Sequence, residues 1–146
     1  MGKLVFPDVQ IELDELRCPC CQGLPPELYN SVYWNNLLYH WQDIRAEWGK
    51  SIKISRGWSC PKHIYYLVRN LKTDACLSPH SFGALDNDLE NEEEVLKFVD
   101  LVDKKNPQMR IGFRAYLDKK QTFVHLDECY LIHPRPAPSW IEGFRW

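Results

Sequence analysis

Thr122-Phe123-Val124-His125-Leu126-Asp127 is the run whose reading decides this chain. Side chains of a strand alternate between two faces, so Phe123, His125 and Asp127 share one face and Val124 and Leu126 the other. An imidazole and a carboxylate therefore stand together on one strand face. Arg110 to Leu117 also alternates, with Ile111, Phe113 and Ala115 on one side, and Asp118 to Gln121 reads as a hairpin turn. The two runs predict an antiparallel pair.

Upstream, Phe82 to Leu89 is short and apolar and then acidic, and reads as a further strand. Between these runs, Asn91 with Glu92, Glu93 and Glu94 makes a strong helix start. Asn91 can cap, and the acids complement the helix dipole. Val95, Leu96, Phe98, Val99 and Val102 supply the buried face, and Pro107 lies beyond the end. A second helix is predicted from about Asn30 to Trp48. Val32, Trp34, Leu37, Leu38, Trp41, Ile44 and Trp48 recur at helical spacing. Pro25-Pro26-Glu27 gives its entry and Gly49 its close. Ser51 to Ser55 alternates as a strand. Pro61 to Lys72 reads as another helix, with Ile64, Leu67, Val68 and Leu71 on one side. Residues 1–23 read as an extended arm ending in a turn, and 131–146 as an irregular tail. The expectation is one α+β domain spanning 1–146, with helices packed on a small antiparallel sheet.

Bulk properties narrow the classes. A chain of 146 residues supports one core and not two independent ones. A formal net charge of −2 argues against a large sequence-independent nucleic-acid footprint. No apolar run is long enough for a membrane span. MGKLVFPDVQI lacks an apolar signal-peptide core, so synthesis in the cytoplasm without a signal peptide is expected. Action at a cell wall then requires release or delivery by something else. That origin favours free thiols for Cys18, Cys20, Cys21, Cys60, Cys76 and Cys129. Cys18-Pro19-Cys20-Cys21 has no second close cysteine pair. A tetrahedral thiolate site there needs scattered partners, and the plainer reading is a tight turn with buried thiols.

Two histidines and a carboxylate are a common catalytic zinc set, because zinc takes three protein ligands and keeps a fourth position for water. His80, in a Ser-Pro-His loop ahead of Asp86 and Asp88, and His125 with Asp127 are the candidates. No H-E-x-x-H, phosphate-binding loop or G-x-S-x-G occurs.

Ser78-Pro79-His80-Ser81-Phe82-Gly83-Ala84-Leu85-Asp86 resembles the S-x-H-x-x-G-x-A-x-D motif of the D-Ala-D-Ala carboxypeptidase family, which has the hedgehog/D,D-peptidase fold. Phe123-Val124-His125-Leu126-Asp127 resembles its second motif, F-(I/V)-H-x-D, in the form typified by murein endopeptidases. Ile54-Ser55-Arg56-Gly57-Trp58-Ser59-Cys60-Pro61-Lys62-His63 is similar to I-x-S-G-Y-R-C-P-x-H. Leu13-Asp14-Glu15-Leu16-Arg17-Cys18-Pro19-Cys20-Cys21 is similar to L-x-E-F-x-C-P-C-C, and Arg110-Ile111-Gly112-Phe113 to R-I-G-(F/I/V). The five matches occur in the family's order and extend from about residue 6 to Trp140.

The resemblance implies a zinc metallopeptidase, a hydrolase acting on the peptide stems of peptidoglycan as carboxypeptidase or endopeptidase. A phage lysis protein fits the small size. His80, His125 and Asp86 are the implied metal ligands. The family's usual spacing falls on Asn87, but Ala84 and Asp86 keep the A-x-D phase, and Asp88 is the alternative ligand. Asp127 is implied as the catalytic acid/base residue or as support for a ligand. Ser78 steadies the first loop. Ser59 occupies the position of the family's carboxylate-clamping Arg, with Arg56 three residues earlier as the remaining candidate. The lost Arg argues against carboxypeptidase specificity and toward an endopeptidase or toward lost activity. The alternative function is a decayed member of the fold, serving as a binding or structural module in a phage particle or at the wall.

Overall fold

The computed structural model describes residues 2–25, 28–60, 80, 83–128 and 144–145. Its centre is a five-stranded sheet in the order β3-β4-β6-β5-β7, antiparallel throughout. The strands are Lys53–Arg56 (β3), Ala84–Asp88 (β4), Arg110–Gly112 (β5), Phe123–Asp127 (β6) and Phe144–Arg145 (β7). Val124 and Leu126 on β6 are fully buried in the core, the face expected of them.

The amino-terminal segment is not the extended arm expected from its lack of helical period. Leu4–Phe6 (β1) and Val9–Glu12 (β2) form a hairpin, and Leu13–Leu16 (α1) adds a single helical turn. Val5, Val9, Ile11 and Leu16 are all buried, so this unit is part of the core. A capping box closes the helix start: the Glu12 N–H donates to Glu15 Oε2 at 2.8 Å.

The long helix Val32–Trp48 (α2) begins later than the Pro25-Pro26-Glu27 entry, at Ser31, whose hydroxyl accepts from the Trp34 N–H. Trp34, Leu37, Leu38, Trp41 and Ile44 form its buried stripe. It ends at Gly49, which sits at φ 83°, a left-handed conformation that glycine adopts without side-chain strain. The helix Glu92–Lys105 (α3) starts as expected, with the Glu94 N–H donating to Asn91 Oδ1 at 2.9 Å. Val95, Phe98 and Val102 bury its inner face, and α3 packs against α2 and β6.

One strand stops short. The alternation expected through Leu117 ends at Gly112, and Arg114–Asp118 forms a short helix (α4). None of its five residues is buried, so no core face holds an extended chain there. The Leu117 N–H instead donates to Phe113 O at 2.9 Å. Lys120, at φ 63°, completes the turn into β6. The tail departs from its irregular reading at Phe144–Arg145, which pairs with Ile111 and Gly112. The helix expected over Pro61 to Lys72 lies outside the described residues, as do Cys76, Ser78, Cys129 and most of the tail. Among the described residues no helix is long and apolar enough to cross a membrane.

Candidate metal centre

Strand register creates the first half of the site. β4 and β6 pair so that Asp86 lies directly opposite His125. Residues opposed in this way share a face with Cβ atoms about 5 Å apart. His125 Nδ1 lies 3.0 Å from Asp86 Oδ1. The other ring nitrogen, Nε2, lies 2.6 Å from Asp127 Oδ2. Asp127 Oδ1 is in turn 3.0 Å from Arg110 Nε, and both of those side chains are buried.

The segment after β3 supplies the second half. The Ser59 N–H donates to the His80 carbonyl at 3.1 Å, and His80 Nδ1 donates to the Gly57 carbonyl at 2.7 Å. A carbonyl can only accept, so this bond fixes the Nδ1–H tautomer and turns Nε2 toward Asp86 Oδ1, at 3.3 Å. Gly57 is needed for close approach. A Cβ there would lie 2.8 Å from Leu16 Cα.

His80, Asp86 and His125 thus each bring a ligand atom within 4.8 Å of the other two, and all three are buried. Their electrostatics differ. Burial pushes the His80 ring down to about 4, and the single nearby carboxylate, Asp86, only partly opposes it while Arg56 adds to it. Burial acts on His125 too, but hydrogen bonds to Asp127 and Asp86 outweigh it and raise that ring to about 9. Burial opposes charge on Asp86, yet the two histidines hold it well below the usual carboxylate range.

The neighbouring positions are accounted for in turn. Asn87, on which the resemblance's ligand spacing falls, points to the opposite face. It is fully buried, its Oδ1 accepts from Trp41 Nε1 at 2.7 Å, and its Nδ2 donates to the Val124 carbonyl at 3.1 Å. Asp88 ends β4 opposite Phe123, outside the cluster of converging ligand atoms. Arg56 pairs with Asp86 across β3 and β4, and its Nε and Nη2 donate to Ser59 Oγ at 3.1 and 2.9 Å. The Thr122 hydroxyl donates to the Leu89 carbonyl at 3.0 Å. Ser78 is outside the described residues.

Two residues beside the site were not anticipated. Arg110 belongs to the R-I-G run, which signalled a strand but not that its first side chain would brace Asp127. Tyr116 lies on α4, and burial together with the Asp86 charge pushes its phenol upward. Its position depended on the strand ending at Gly112.

The donor set fits zinc: two imidazoles and one carboxylate, with room in a tetrahedral shell for one further ligand. The far nitrogen of each imidazole is held by an acceptor, Gly57 O or Asp127, the support that metal-binding histidines ordinarily have. No family model, curated protein or solved structure matches the chain.

Proposed function

We propose that this chain is a zinc peptidase of the D,D-peptidase type, with the hedgehog/D,D-peptidase fold, that hydrolyses peptide bonds in the stems of bacterial peptidoglycan. The observation that carries the reading is the convergence of His80, Asp86 and His125, which the resemblance had named as ligands. Zinc bound by these three residues would polarise a peptide carbonyl and acidify a water beside it. Every other contribution comes from the chain. Gly57 and Asp127 orient the two imidazoles. Arg56, held by Ser59, presents a guanidinium on the strand beside Asp86 and binds a carboxylate or carbonyl oxygen of the substrate. Tyr116 stays a neutral phenol and can donate a hydrogen bond. Asp127 acts through His125, because its two oxygens lie against His125 and Arg110.

The test is hydrolysis of purified muropeptides by the zinc-loaded protein. Activity should require zinc, vanish with a chelator and be lost in His125→Ala. Undiminished hydrolysis in His125→Ala sinks the proposal. A protein that binds zinc and muropeptides but cleaves nothing supports the decayed binding module instead.

A further inference from the structure

We infer that Cys18, Cys21 and Cys60 form a second, thiolate site for a zinc-class divalent cation, which staples the amino-terminal unit to the segment that orients His80. This inference does not depend on the peptidase reading. Cys18 and Cys60 are 42 residues apart in sequence, yet one sulfur from each of Cys18, Cys21 and Cys60 lies within 4.8 Å of the other two. Cys60 is the distant partner that the Cys18–Cys21 run needs.

Local backbone builds the cradle. The Gln22 N–H donates to the Cys18 carbonyl at 2.8 Å, and the Cys18 N–H to the Gly23 carbonyl at 2.9 Å. Gln22 at φ 60° turns the chain so that Cys21 returns beside Cys18. Arg17 Nη1 braces the same turn through the Gln22 carbonyl at 3.0 Å. Two backbone donors then point at sulfur: the Cys60 N–H at Cys18 Sγ and the Gly23 N–H at Cys21 Sγ, both 3.4 Å. N–H groups aimed at sulfur favour the thiolate, the form that binds metal. Cys18 and Cys60 are buried and Cys21 is exposed, which leaves the ion a side from which to enter.

Three thiols suit a metal better than a disulfide, which would use two and strand one. Zinc takes three thiolates and a fourth donor, either protein or water, in a tetrahedron. As each sulfur–metal bond forms, its thiol releases a proton to solvent, so binding needs no oxidant. The mechanical consequence follows from the sequence order Gly57-Trp58-Ser59-Cys60. Gly57 and Ser59 both hold His80, and Cys60 anchors that segment to the turn after α1.

The decisive material is the full chain carrying His80→Ala and His125→Ala, which removes the first cluster. Purified under reducing conditions, it should retain about one zinc per chain. Replacement by cobalt should give an intense near-ultraviolet sulfur-to-cobalt charge-transfer band. Adding Cys21→Ser, at an exposed position outside the core, should abolish both signals while the circular dichroism is kept. Absence of the cobalt–thiolate band in the double variant overturns the inference. So does mass spectrometry showing a disulfide between any two of these cysteines in that reduced preparation. If Cys21→Ser fails to fold, the band in the double variant still decides. Absence of muropeptide hydrolysis by the zinc-loaded wild-type protein, with this band present in the double variant, would refute the peptidase reading alone.

Discussion

Arg56 donates to the Ser59 hydroxyl through both Nε and Nη2. Ser59, where the resemblance expects a clamping Arg, thus fixes a neighbouring Arg beside Asp86. Removing the acceptor in Ser59→Ala leaves the guanidinium unsteadied, a loss of about 1–2 kcal/mol in substrate binding. KM for muropeptides should rise roughly 5- to 30-fold with a smaller change in kcat. Arg56→Ala should raise KM further, and Arg56→Lys should recover only part, because Lys lacks the planar fork. Steady-state kinetics on one defined muropeptide checks all three. An unchanged KM in Arg56→Ala removes Arg56 from the substrate site.

Asn87 and Asp86 provide a direct contest for the third ligand position. Asp86→Asn should abolish zinc binding by the histidine cluster. Asn87→Asp should not create a better site, because the side chain faces Trp41 and the Val124 carbonyl in the core. A carboxylate has no proton to give that carbonyl, and its charge is buried. The expected cost is about 3 kcal/mol or more in folding stability. Urea unfolding and zinc titration measure the two effects separately. Stronger zinc binding in Asn87→Asp would show that the ligand register is wrong.

Asp127 carries a third prediction. Its hydrogen bond fixes the ring of His125, and partners of this kind typically contribute a factor of 10–100 in metal affinity. Asp127→Asn should weaken zinc binding by about that much, and added zinc should restore part of the activity. Asp127→Ala should also destabilise the fold by about 3–5 kcal/mol, since Arg110 then keeps a buried charge without its carboxylate. Activity that stays absent in Asp127→Asn at saturating zinc, with the fold intact, would assign the proton-transfer role to Asp127 itself.

Much of this architecture was legible because its periodicities are local. The α2 stripe, the Asn91 cap and the alternation of β6 each announce themselves within a few residues. The pairing of Asp86 with His125 was readable only through motif phase, since nothing local specifies which strands become neighbours. The amino-terminal hairpin escaped notice because its strands are three and four residues long, too short for a period to emerge. The end of β5 escaped for another reason. Ile111, Phe113 and Ala115 alternate in sequence, but burial ceases after Gly112, and burial rather than alternation sustains a strand. Cys60 joining Cys18 and Cys21 is a tertiary fact without a local signature.

The two histidines also predict a pH signature for the metal-free protein. His125 titrates near 9 when folded, against about 6.5 in an unfolded chain. The folded state therefore holds this proton more tightly. The resulting stability is fully present below about pH 6.5 and is lost as pH rises through 9. The full effect is on the order of 3 kcal/mol. His80 and Asp86, both lowered, act with the opposite sign and at lower pH, where stability falls as they are forced to protonate. For Cys18, burial raises the thiol, but N–H groups from Cys60, Cys21 and Cys20 bring it down to about 7, so it gains stability over part of the same alkaline window. The His125 contribution is therefore read as the difference between wild type and His125→Ala, in which Cys18 cancels. With metal removed by chelator, wild type should lose stability relative to His125→Ala between pH 6.5 and 9.5 in urea unfolding. Zinc should reverse that slope, because it binds the ring only after the proton has left. Parallel pH profiles for the two proteins would mean that His125 does not hold a proton between Asp86 and Asp127.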